Sequence, residues 1–221
     1  MSGDARLKIL SRVRQAQIRA LIPETKSGLP EQLAQSVMEP AARLRRLLKE
    51  FSLLEVEVFV EATEETVRER VRGLIAGQAI LSWDPAQLPY GTGTCLDGQK
   101  VYYGTDSKDD QGKADIGLTG CESAIAETGT LAMTSGPGRP RSASLMPLIH
   151  VVVIRAADII PGMGEFFRMY REKADQPACG GIGSSLPYVV FITGPSRTAD
   201  IELSLTLGVH GPGRVIAVIG P

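Results

Sequence analysis

The sequence predicts an α/β fold: a mixed, largely parallel sheet flanked by helices, with an N-terminal helical extension. Three observations carry this reading. Residues 55–82 read as strand, helix and strand, the unit that pairs strands in parallel. Ile149-His-Val-Val-Val-Ile154 is nearly continuous in its apolar character, as in a strand covered on both faces. Strands and helices then alternate over most of the remaining chain.

Composition bounds the rest. With 221 residues and 43% hydrophobic content, the chain can bury one sizeable domain beside a helical extension. The expected division is 1–52 for the extension and 53–221 for the α/β domain. A net charge of −1 and 5% aromatic residues point away from nucleic acid and from a membrane surface. Cys95, Cys121 and Cys179 are far apart and odd in number, which argues against a disulfide framework and against a metal site made by this chain alone. No apolar run reaches the roughly 18 residues of a membrane span, and the charged first 21 residues lack a signal-peptide core. The expectation is a cytoplasmic protein.

Residues 4–21 read as a helix with Leu7, Leu10, Val13 and Ile18 loosely on one side, and 23–30 as a linker. Residues 31–51 form a second helix, breakable at Pro40, with Leu44, Leu47, Leu48 and Phe51 as its apolar stripe and Arg43, Arg45 and Arg46 outside it. Val56, Val58 and Val60 alternate as in a half-buried strand. A helix from Thr63 carries Val67, Val71, Leu74 and Ile75 and stops at Gly77, before a strand at 78–82. Residues 84–113 are irregular, with a short strand near Val101. The segment Cys121-Glu-Ser-Ala-Ile-Ala-Glu127 reads as a short helix leading into a strand at 130–133. An amphipathic helix spans 161–174, a Gly-rich loop spans 176–185, and the last strand covers 214–219.

The candidate site centres on Thr193-Gly-Pro-Ser-Arg-Thr-Ala-Asp-Ile-Glu202, after the strand 188–192. Ser196 suits the N-cap of a short helix, whose free amides favour an anion. Thr128, Gly129, Thr130, Thr193, Gly194, Ser196, Arg197, Thr198 and Asp200 are the expected binding residues; the plain alternative is a capped helix in which Arg197 pairs with Asp200. Arg139 and Arg141 either close over the anion or remain exposed. Glu127, flanked by Thr128, Gly129 and Thr130, is the candidate nucleophile or acid/base group, and His210 the candidate general base. Each has a structural alternative, a capping acid or a loop-bracing imidazole, and for His150 a hydrogen-bonded structural role is the favoured reading.

Ala126-Glu-Thr-Gly-Thr-Leu131, Leu148-Ile-His-Val-Val-Val-Ile154, the 192–202 segment and Gly208-Val-His-Gly-Pro212 together resemble the LUD-domain family, in its lactate-utilisation C branch. The resemblance covers 36–221. It implies a bacterial cytoplasmic protein needed for growth on L-lactate, a non-redox component of L-lactate oxidation to pyruvate. The implied partners are an iron–sulfur subunit and a cysteine-rich subunit, with the clusters in the partner and no cofactor on this chain. It also implies a fold similar to the sugar-phosphate isomerase and CoA-transferase group, whose ligands are anionic. The expected role is therefore to bind a small carboxylate or to dock the redox partner. The alternative is a stand-alone enzyme of CoA-transferase or isomerase type with Glu127 as nucleophile or base.

Overall fold

The computed structural model describes residues 3–19, 38–174, 188–199, 205–208 and 210–221. The chain divides into two compact units, Met1–Glu31 and Gln32–Pro221. The first contains helix α1 (Gly3–Arg19), with Leu7, Ile9, Leu10 and Val13 all exposed. The expected linker at 23–30 and the Gly-rich loop at 176–185 lie outside the described residues.

In the second unit, α2 (Pro40–Leu53) begins at the proline, whose missing N–H costs nothing in a first helical turn. It buries Leu47 and Phe51. β1 (Glu57–Val60) follows, then α3 (Glu64–Ile75). Thr63 and Thr66 form a reciprocal cap at the start of α3, Glu64 and Glu65 complement the helix dipole, and Val67, Val71 and Ile75 face inward. β2 (Ala79–Ser82) and β3 (Lys100–Tyr102) flank an irregular stretch of 3-10 turns; α4 (Lys108–Gln111) is a single turn capped by Ser107.

β4 (Ile116–Thr119), β7 (Ile149–Arg155) and β12 (Arg214–Gly220) complete a six-stranded sheet in the order β1-β12-β7-β4-β2-β3, with each neighbouring pair parallel. The runs at 151–154 and 215–219 are fully covered, so β7 and β12 form the centre of the core. α3 packs on β12, and α2 packs on β1. The mostly parallel α/β sheet is the architecture that the periodicity predicts.

The structure departs from the sequence reading at two places. The segment 121–127 is not helical: β5 (Ser123–Ile125) pairs antiparallel with β6 (Thr130–Thr134) through a tight turn. All of Ser123, Ala124 and Ile125 are buried, so no alternation marks them as a strand. A second, four-stranded sheet results, ordered β8-β5-β6-β9, with β8 (Ile159–Ile160) and β9 (Val189–Ile192) at its edges and α5 (Met163–Ala174) packed on β5. The second departure follows Ser196. Instead of a helix start, β10 (Arg197–Ala199) pairs antiparallel with β11 (Leu205–Leu207). The residues from 200 to 204 lie outside the described set.

One close approach ties β4 to the loop beyond β6. A Cβ on Gly117 would lie 1.7 Å from the Ala143 carbonyl oxygen, so the 3-10 turn Arg141–Ser144 reaches the sheet only because position 117 is bare. Beside it, His150 is fully buried on β7, its Nε2 2.8 Å from the Thr119 hydroxyl and its Nδ1 unpartnered. Burial pushes the imidazole pKa down to about 4, so the ring is neutral. The hydrogen bond expected of this histidine is thus made at one ring nitrogen.

Candidate functional site

The C-terminal end of α2 is the hub. The Leu54 amide donates to the Glu50 carbonyl at 3.0 Å and the Val56 amide to the Phe51 carbonyl at 2.9 Å, which closes the helix. Between them Glu55 takes φ 60°, a left-handed conformation that turns the chain toward β1. The segments singled out from the sequence converge here. Gly129, at φ 64°, ends the β5–β6 turn, and a Cβ on it would lie 2.8 Å from Leu54 Cδ1. Gly194, at φ 82°, follows β9, and a Cβ on it would lie 3.1 Å from Leu54 Cβ. Both turns therefore rest on one leucine, and both need glycine for conformation and for space.

Between these glycines the threonines form a hydroxyl chain. Thr128 Oγ1 is 2.7 Å from Thr130 Oγ1, which is 2.9 Å from Thr193 Oγ1. Thr130 is buried, whereas Thr128 and Thr193 are exposed at the two ends. Two hydrogen bonds use two of the chain's three O–H donors, so one O–H and several lone pairs remain for a ligand.

Arginines flank this chain. Arg197 Nη2 donates to the Leu54 carbonyl at 3.1 Å and to Glu55 Oε2 at 2.8 Å. Its partner among the described residues is thus Glu55, across the fold, and Arg197 opens a strand where a helix was expected. Asp200 itself lies outside the described residues, and Thr198 is placed within β10. Arg46 Nη2 donates to the Glu127 carbonyl at 3.3 Å and pairs with Glu50 at 3.1 Å. Arg43 Nε donates to the Met38 carbonyl at 2.6 Å, so part of the basic face of α2 turns into the fold. Arg139 pairs with Glu122 at 3.3 Å, bonds Gln87 at 2.9 Å and lies over the Trp83 ring, while Arg141 is exposed.

Glu127 is exposed on the turn, its amide bonded to the Pro161 carbonyl at 3.0 Å. Its carboxylate lies over Gly162, where a Cβ would come within 2.7 Å of Oε2. Ser196 joins the 210–212 loop: its amide donates to the Pro212 carbonyl at 2.8 Å, and Gly211 packs against its side chain. His210 is exposed on that loop, and among the described residues no hydrogen bond links it to Glu127. The structure therefore gathers Thr128, Gly129, Thr130, Thr193, Gly194 and Arg197 at the end of α2. Leu54, Glu55, Arg46 and Glu50 complete that site and carry no sequence signal beyond the end of an amphipathic helix.

These features define an α/β protein with a hydroxyl-lined turn site built on a helix end, flanked by cations that internal carboxylates hold. Residues 44–219 match the LUD domain, and the chain belongs to that family. It is 39% identical over 108 residues to lactate utilization protein C of Halalkalibacterium halodurans, an alignment covering 48% of this chain and 44% of the relative. It is 30% identical to lactate utilization protein C of Anoxybacillus flavithermus, with 73% of each chain covered, and 29% identical to the Bacillus subtilis protein of the same name, with 70% and 67% covered. A crystal structure of a DUF162 family protein from Deinococcus radiodurans superposes with a TM-score of 0.64 at 20% identity, covering 83% of this chain and 99% of that one. That likeness concerns the fold alone.

Proposed function

We propose that this chain serves in lactate utilisation, with the threonine chain and Arg197 holding a small hydroxy- or keto-acid. The observation that carries the ligand is the Thr128–Thr130–Thr193 chain, which offers a spare donor beside a guanidinium. The names of the relatives supply the metabolic setting. A ligand carboxylate takes the place of Glu55 on Arg197. The Glu55 side chain is 74% exposed, so this exchange gives up an ion pair worth about 0–1 kcal/mol. The freed fork then makes charge-assisted bonds to the acid.

Oxidation of L-lactate to pyruvate releases two electrons and two protons. Cys95 and Cys121 are buried in the core, and burial pushes both thiols up, away from the thiolate form that ligates metals. Cys179 lies outside the described residues; for the other two this supports assigning electron transfer to an iron–sulfur subunit, and the proposed assembly adds a cysteine-rich subunit and places no cofactor on this chain. The reading places the assembly in the cytoplasm; among the described residues no helix is long and apolar enough to cross a membrane.

Isothermal titration with L-lactate, pyruvate and acetate tests the ligand. Thr130→Val and Arg197→Ala should each weaken the acid that binds by about tenfold or more. Equal affinity in wild type and both variants, or no binding of any acid, removes the ligand and leaves docking of the redox partner as the role. The clearance that Gly162 gives the Glu127 carboxylate favours a second reading, a stand-alone transferase or isomerase with Glu127 as nucleophile or base. Glu127→Gln separates the two: turnover lost with binding retained supports catalysis by this chain.

A further inference from the structure

A cleft of about 540 Å³ opens outside the carboxyl ends of β2 and β3, away from the end of α2. It lies beside a reversal in the strand order. The chain leaves β2 for β3 on one side, whereas β4 leads to β7 on the other, so the strand order reverses between β2 and β4. Open α/β sheets bind ligands outside the carboxyl ends of strands at such reversals. Above β4 the crevice is filled, because Pro89 and Trp83 close on Gly120. The opening therefore lies over β2 and β3.

Its walls are held before any ligand arrives. The Asp84 amide donates to the Gly138 carbonyl at 2.8 Å, and Arg139 Nε to Gln87 at 2.9 Å, which fixes the 136–140 loop. Gln111 Nε2 donates to the Asp106 carbonyl at 2.8 Å and to the Gly104 carbonyl at 3.3 Å, which fixes the opposite loop. Pro140 approaches Gly104 so closely that a Cβ there would lie 2.5 Å from the proline Cβ.

The lining has a definite chemistry. Pro85, Pro140, Gly104, Gly136 and Gly138 present flat apolar surface and bare backbone. Asp84, Tyr103, Thr105 and Ser82 supply the polar groups, the Ser82 hydroxyl being spent on the Trp83 carbonyl at 2.7 Å, and among the described residues no lysine or arginine lines the cleft. Asp84 Oδ1 accepts the Ala86 amide at 2.9 Å, while Oδ2 and the Tyr103 and Thr105 hydroxyls make no hydrogen bond among the described residues. Burial, then the charges of Asp84 and Asp106, raise the Tyr103 phenol, which remains a donor. A site with a free carboxylate oxygen and no cation repels the carboxylates proposed for the α2 end. It suits a neutral ligand with hydroxyl donors and a flat ring, and a cleft of this size matches a small organic molecule.

We propose that this cleft binds a ribonucleoside moiety, with Asp84 accepting from the vicinal ribose hydroxyls and the base lying on the proline and glycine surface. The moiety comes either as a free nucleoside or as part of a nucleotide whose phosphates lie outside the cleft, away from Asp84.

The test is titration of the full chain, by calorimetry or by NMR shifts, with adenosine, 2′-deoxyadenosine, AMP and NAD. Adenosine should bind at least tenfold more tightly than 2′-deoxyadenosine. AMP or NAD binding more tightly than adenosine identifies a nucleotide as the source, and adenosine binding most tightly identifies the free nucleoside. Asp84→Asn keeps an oxygen for the Ala86 amide and should abolish the preference for ribose over deoxyribose. Gly136→Val is a second variant: a Cβ there meets nothing within 4 Å, so the fold tolerates the side chain while the cleft is narrowed. It should weaken adenosine at least tenfold at unchanged melting temperature. Equal binding of ribose and deoxyribose forms, a preference that survives in Asp84→Asn, or no binding of any of the four at millimolar concentration overturns the proposal. The outcome is independent of the acid titration, because neither variant touches the threonine chain.

Discussion

Arg197 and Glu55 meet at 2.8 Å, although one opens the hairpin after β9 and the other follows the end of α2. The same guanidinium caps the Leu54 carbonyl, placing a positive charge at the negative end of the helix dipole. A single side chain thus ties the threonine site to the helix that supports it.

Glu55 has a left-handed backbone, which costs a non-glycine residue roughly 1–2 kcal/mol, and its exposed ion pair returns about 0–1 kcal/mol. Glu55→Gly should therefore be neutral to slightly stabilising at low salt. In about 1 M salt, where the pair is screened, it should stabilise by about 1 kcal/mol. Urea unfolding at both ionic strengths checks this, and a loss of more than about 1 kcal/mol at low salt that disappears in high salt would show that the pair is worth more than its exposure implies.

His150 makes stability depend on pH. Its folded pKa of about 4 lies below the ordinary 6.5, so between those values the unfolded chain binds a proton that the native chain refuses. Stability should be full above pH 6.5 and fall as the pH drops toward 4, by about 3 kcal/mol for the whole interval. Between pH 6.5 and 5 the slope should vanish in His150→Leu, measured by denaturant midpoints at half-unit pH steps.

Gly117→Ala should destabilise by about 3 kcal/mol or more, because the new methyl meets a backbone oxygen that cannot rotate away. Gly136→Ala, with open space around its Cβ, should change stability by about 0.5 kcal/mol or less. A thermal melt of the pair decides whether the close approach of Ala143 is structural.

Glu122 links β5 to its surroundings. Burial raises its carboxyl pKa, but the Lys173 ammonium, then Arg139 and the Thr134 hydroxyl, outweigh burial and hold it below the usual range. Glu122→Gln should cost about 1 kcal/mol by removing the acid from Arg139 and Lys173, whose side chains are 33% and 56% exposed. Its loss should be largest at neutral pH and shrink as acid protonates the wild-type carboxyl; a constant difference down to pH 3 would sink the idea.

The main sheet was legible because its strands bear one strong signal each. Residues 151–154 and 215–219 are continuous apolar runs, and the α3 stripe and Thr63 cap are local features. Half of the small sheet was legible, in the strands expected at 130–133 and 188–192, but β5 and β8 are too short for alternation and all their residues are buried. At Ser196 the local rule for a helix cap lost to a pairing with residues 205–207, which no local pattern announces. The threonines and glycines of the site stood out in the sequence. Leu54, the residue on which they rest, did not, because its role is only to be touched.

The sheet order has a consequence for synthesis. β12 lies between β1 and β7, with Glu57 opposite Ile216, so a strand made early waits for one made late. As the nascent chain emerges, β7-β4-β2-β3 can zip together first and leaves β7 as an open edge until residues 214–220 arrive. Such late closure raises contact order and slows folding. It also leaves an apolar ladder exposed to other growing chains, which gives this protein a reason to engage a chaperone while it is being made.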